Sequence, residues 1–185
     1  MLPSNLTNIL KKSLIFIGLL TTCLLAGNAQ AVIPEEGKTY FTKYNLKFEK
    51  GRHVTTNYWR GDLLPINSKV EVVSMGGKTL ILNWKGNQIT ILNVAKHTKK
   101  SIEEVADNLL STKPVGLGKR YKKDVKFGVL RLGMTKKQVI KTRGYPPAHK
   151  TYSTEADRWT YWSSKFVQRS LLFENGRLVR GRGLR

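Results

Sequence analysis

The sequence is almost without cysteine. Its one thiol, Cys23, lies near the start of 185 residues, so no internal disulfide can hold the fold and stability has to come from apolar burial. Acids are scarce as well, with 12 Asp and Glu against 33 Lys and Arg, for a formal net charge of +21. An excess of that size opposes compactness through self-repulsion and predicts attraction to polyanions. The three histidines, His53, His97 and His149, are scattered and have no Cys, Asp or Glu at ligand spacing, which argues against a four-ligand zinc site. No serine sits in a Gly-x-Ser-x-Gly elbow. Glu103, Glu104 and Asp107, prominent among the few carboxylates, are explained as one helix surface rather than a glycosidase pair. Gly116-Leu117-Gly118-Lys119 lacks the spacing and the following Ser or Thr of a phosphate-binding loop. The expectation is a non-enzyme without metal or cofactor.

Long apolar runs are missing too. The uncharged stretch from Leu14 to Gly27 falls short of the roughly 20 residues a membrane span needs. It follows Lys11 and Lys12 and precedes Ala29-Gln30-Ala31, the order of a secretory signal peptide cut after residue 31. Two alternatives compete: an uncleaved anchor, and lipidation of Cys23 at Leu20-Thr21-Thr22-Cys23, which carries Thr where Gly, Ala or Ser is usual. Cleavage removes two lysines and no acid, leaving a charge of +19 on 154 residues. Export makes the polyanion an envelope component: phospholipid headgroups, lipopolysaccharide phosphates, wall polymers or acidic proteins. Nucleic acid, the cytosolic reading, is set aside.

From about Thr39 to Asn93 the pattern is that of β structure. Residues 69–74 alternate around Val70 and Val72, Gly76-Gly77 turns, and residues 79–84 follow. Lys85-Gly86-Asn87 turns again before residues 88–93, which carry Ile89 and Ile91. Residues 54–60 are expected as a further strand. Four or five such strands suit a small barrel or sandwich. The period then changes: Ile102, Val105, Ala106 and Leu109 share one helical face, behind a Ser101–Glu104 capping box. Residues 112–126, with Pro114, two glycines and a basic run, are expected as a linker and domain boundary. Beyond it, Thr135 to Gln138 is a second capping box, and Gly144 with Pro146-Pro147 is expected to end that helix in a left-handed turn. Strands are expected at 159–162, 166–173 and 178–180, the last two joined by a type I′ turn at Asn175-Gly176.

Leu132-Gly133-Met134-Thr135-Lys136-Lys137-Gln138-Val139, Gly144-Tyr145-Pro146, Trp159-Thr160-Tyr161 and residues 172–178 together resemble the SmpA/OmlA (BamE-like) domain over about residues 127–183. The resemblance implies a helical hairpin on a three-stranded antiparallel sheet, and a role beside the machinery that assembles outer-membrane β-barrels. Residues 55–61 and 64–70 resemble, more weakly, a bacterial SH3-like barrel, a fold that in envelopes commonly binds ligands or wall material. The fold class expected is thus α+β, with a signal peptide (1–31), an SH3-like β domain (32–96), a helix and basic linker (97–126) and a BamE-like domain (127–185).

Candidate partner-binding residues come from aromatics and arginines, the composition of interface hot spots. On a strand neighbours face opposite ways, so one of Tyr58 and Trp59 should face outward beside Arg60, and Tyr161 should if Trp162 is core. The last strand and tail supply Arg177, Arg180, Arg182 and Arg185, whose planar guanidiniums suit phosphates and carboxylates. The leading function is an accessory or scaffold of an outer-membrane assembly, located in the periplasm or on the periplasmic face of the outer membrane. The alternatives are a cell-wall or anionic-glycan binding module and an inhibitor of a secreted enzyme.

Overall fold

The computed structural model describes residues 33–181 and 184. Residues 1–31, expected as a signal peptide and including Cys23, and the tail residues Arg182 and Arg185 lie outside the described residues. The fold is mixed α+β. In chain order the strands are β1 (Thr39–Thr42), β2 (Leu46–Phe48), β3 (Arg52–Val54), β4 (Asp62–Leu64), β5 (Lys69–Gly76), β6 (Thr79–Trp84) and β7 (Asn87–Leu92). Helices α1 (Ala95–Thr98) and α2 (Ile102–Leu109) come next, then β8 (Leu110–Ser111), α3 (Lys122–Lys126), α4 (Lys136–Arg143), β9 (Arg158–Ser164), β10 (Val167–Glu174) and β11 (Arg177–Gly181).

Six strands form a curled sheet, a half-barrel, in the order β3-β7-β6-β5-β1-β8. Alternation puts Val70, Val72, Leu80, Leu82, Ile89 and Ile91 on its inner face, each at most 1% exposed. Helix α2 covers that face with Ile102, Val105, Ala106 and Leu109, all buried. Its start carries the expected reciprocal cap, Ser101 Oγ accepting from Glu104 N and Glu104 Oε2 from Ser101 N. The turn at Lys85 (φ 53°) and Gly86 (φ 81°) has the two positive φ values of a type I′ hairpin.

The strand expected over residues 54–60 differs from expectation. β3 stops at Val54 and pairs in parallel with β7, while Thr55 to Asn57 form a turn. Asn57 takes φ 58° there, and its Nδ2 donates to the Arg143 and Tyr145 carbonyls, so a distant partner ends the strand. The stretch expected as linker contains α3, whose Val125 is fully buried.

A second sheet, β11-β10-β9, is antiparallel and packs Trp159, Tyr161, Leu171, Phe173 and Leu178 against Val139, Met134 and Val125. Helix α4 begins with the expected Thr135–Gln138 box. It ends at Gly144 with φ 74° and ψ −177°, not in the left-handed turn expected. A Cβ there would come within 3.0 Å of the Tyr44 ring, so close approach as well as conformation requires glycine.

Residues 33–181 form one compact unit with two cores, and Ile66 from the N-terminal half belongs to the second. Asn45, fully buried, joins them. Its Nδ2 donates to Val125 O (2.5 Å) and Thr142 O (3.0 Å), and its Oδ1 accepts from Ile66 N (2.6 Å). Trypsin is expected to cut first at the exposed Lys119, Arg120, Lys122 and Lys123, leaving two resistant fragments that co-elute under native conditions. Uniform degradation, or fragments that separate freely, would contradict this.

Candidate functional site

The aromatic candidates meet where the two sheets join. Trp59 N donates to Trp162 O (3.1 Å), and Tyr58 makes a parallel bridge with Trp162, so residues 58–59 pair against β9. Tyr58 and Trp59 are half-buried; Arg60 is exposed but ion-paired to Glu49 at 2.6 Å. Tyr161 corrects the outward expectation. It is 1% exposed, on the inner face with Trp159, and its hydroxyl donates to Gly144 O (2.8 Å). The two-residue period forces Trp159 and Tyr161 onto one face, and the second core lies there; Trp162 is the outward, half-buried neighbour.

Between these rings lies Arg143, which sequence reasoning missed. Its guanidinium carbon is 4.9 Å from the Trp59 ring centroid and 5.6 Å from that of Tyr161. Burial, with Arg169 adding to it against the opposing pull of Tyr161, lowers Arg143 to about 10, which leaves it charged at neutral pH. Its Nε has no hydrogen-bond partner among the described residues.

Next to this junction opens a cleft of about 500 Å³, walled on one side by the half-barrel and α2 and on the other by residues 145–154. Tyr44 and Tyr145 meet edge to face in its wall, with ring centroids 5.8 Å apart. His53 lines it with Nδ1 2.7 Å from Lys47 O; a carbonyl only accepts, so Nδ1 carries the proton. Burial lowers the His53 pKa and keeps the ring neutral. Lys99 and Lys100 complete the lining, which contains no Asp or Glu among the described residues. Close by, His97 and His149 stack at 4.2 Å, His97 Nδ1 is 2.7 Å from Thr56 Oγ1, and Ala148 N donates to His97 O. Desolvation first, then neighbouring positive charge, lowers both pKa values. Among the described residues no three His, Cys, Asp or Glu side chains come together as a metal site.

The arginine candidates separate. Arg177 and Arg180 are both exposed on β11. Arg177 Nη1 donates to Gly133 O (3.1 Å), which ties it to the loop before α4. Arg180 instead faces Leu172 of β10 across the sheet, and Leu172 faces Arg158 of β9. This places Arg158, Leu172 and Arg180 in one row on the outer face, with the two arginine backbones two strand spacings, about 10 Å, apart. A groove of about 290 Å³ lies among them, and neither guanidinium has a carboxylate partner among the described residues. Arg158 was legible as an outward position beside core Trp159, but only the ladder register puts it opposite Arg180.

Comparison with protein-family models, with curated proteins and with solved structures finds no match to this chain.

Proposed function

We propose that the chain is an exported, non-catalytic accessory or scaffold protein of a bacterial-type envelope, serving an outer-membrane assembly through its C-terminal half. The observation that carries this reading is the Arg158–Leu172–Arg180 row: two guanidiniums without carboxylate partners among the described residues flank an apolar side chain on the open face of a sheet. Arginine around an apolar centre is the make-up of an interface hot spot, and the planar forks fit the carboxylates of an acidic protein segment. Helices α3 and α4 packed on β11-β10-β9 support a BamE-like module, and the half-barrel closed by α2 supports an SH3-like one. The basic net charge and the leader-like residues 1–31 support export to a compartment rich in anionic partners. The implied division at residues 112–126 is tested by the tryptic digestion above.

A photocrosslinker at position 172, in the native envelope, is expected to trap a membrane-assembly protein through an acidic segment. Arg158→Gln with Arg180→Gln is expected to weaken that complex at least about tenfold and flatten its salt dependence, since exposed charge pairs are screened over roughly 8 Å at physiological salt. Equal crosslinking by the double variant, or crosslinks to lipid alone, would overturn the assignment.

A further inference from the structure

The cleft behind Tyr145 uses none of the residues of the outer sheet face, and its lining sorts into three chemistries. The first is a wall of aromatic and apolar surface, made by the Tyr44–Tyr145 pair and Pro146. The second is a set of acceptors without donors. Asn57, 5% exposed, uses its amide hydrogens on Arg143 O and Tyr145 O and leaves Oδ1 buried with no partner among the described residues. His53 has already donated its Nδ1 proton, so the neutral ring has only the lone pair on Nε2 left to offer. The third is positive charge: Lys100 holds Glu104 only loosely, at 4.0 Å, and Lys99 has no carboxylate partner among the described residues.

Each chemistry narrows the ligand. The buried Asn57 Oδ1 and the free lone pair of His53 Nε2 call for hydroxyl or N–H groups, delivered directly or through a water they order, because a buried acceptor left unmet is costly. An acyl chain offers no such donor, and a bare phosphate leaves the aromatic wall uncovered. A neutral sugar covers the wall and meets the acceptors, yet leaves the two lysines facing nothing. A volume of about 500 Å³ is within the usual range for small-molecule sites. We infer that this cleft binds an anionic sugar, a sugar ring bearing a carboxylate or a phosphate. The hydroxyls face Asn57 and His53, the C–H face of the ring lies on the tyrosine wall, and the anion reaches Lys99 and Lys100.

The test is an amide NMR titration of the folded chain with glucuronic acid, glucose 6-phosphate, glucose, acetate and inorganic phosphate. At least one anionic sugar is expected to shift residues 98–100 and 145–154 and to bind about tenfold more tightly than glucose. The arm that binds identifies the anion. Lys99→Gln with Lys100→Gln, and separately Tyr145→Ala at a 39% exposed position, are each expected to weaken binding about tenfold, while Arg158→Gln with Arg180→Gln leaves it unchanged. Equal binding of glucose would overturn the charge requirement. Equal binding of acetate or phosphate would reduce the cleft to a cationic patch. No shift at the cleft with any sugar would overturn the inference outright.

Discussion

Asn45→Ala is expected to destabilise the protein by about 3–5 kcal/mol, the largest effect of any single truncation outside the apolar core. The side chain is fully buried and satisfies three main-chain groups: the carbonyls of Val125 and Thr142 and the amide of Ile66. Thr142 O and Ile66 N, left dry and unpaired, cost about 1–3 kcal/mol each, and Val125 O keeps Gly128 N (3.2 Å) but loses its second bond, for about 1 kcal/mol more. For a chain of this size the loss lowers the melting temperature by roughly 10 °C. Because the bonds join the half-barrel side to α3 and α4, both cores should unfold together in the wild-type chain. The variant should loosen the α3–α4 side first. Urea titrations followed at Trp84, on the half-barrel, and at Trp159, in the second core, give the measurement. A loss under about 1 kcal/mol would show that Asn45 is not a clasp. Asn83→Ala, in an exposed hairpin, is the matched control and should cost little.

Stability is expected to fall steeply between pH 7.5 and pH 5. All three histidines are held below their ordinary value, each chiefly by burial. The folded chain therefore keeps them neutral, whereas the unfolded chain takes up protons near pH 6.5. A depressed folded pKa contributes stability that is whole above the unfolded value and is lost as pH falls through the window below it. For the buried His53 the slope is up to about 1.4 kcal/mol per pH unit while the folded ring stays neutral. The stacked pair adds less per group, since both rings are half-open and solvent screens their charges. The pair has a second reason to resist protonation: Lys96 bears on both rings, Lys99 and Lys150 bear on His149, and His149 lowers the proton affinity of His97, while a backbone contact with His97 opposes the lowering at His149. Unfolding free energies at pH 7.5, 6 and 5 test this, and His149→Gln should flatten the curve by removing one charge from the stack. A stability independent of pH over that range would contradict it.

Local pattern carried much of the fold. The apolar positions of α2 and both capping boxes sit where their spacing put them, because an amphipathic face and a reciprocal cap are defined within one or two turns. β6 and the Asn175-Gly176 turn were legible for the same reason: alternation and positive φ are properties of neighbours. Strand 54–60 was misread because what ends it is Asn57 bonded to residues 86 and 88 positions away. Tyr161 was misassigned because alternation says only which residues share a face, not which face is inside. Of the arginine candidates, Arg180 kept an open surface, whereas Arg177 is tied to Gly133, and nothing in a sequence separates the two.

The amino-acid sequence by itself determined the elements and the charge: strands from alternation, helices from period and caps, and a strongly basic surface from the scarcity of acids. The tertiary structure alone decided which groups meet. The guanidinium of Arg143 between two rings, the donorless oxygen of Asn57 in the cleft that His53 also lines, and Arg158 in line with Arg180 across Leu172 all depend on strand register and on packing between distant segments. Such contacts follow from the burial of two cores against each other, a property of the whole chain that no local window contains.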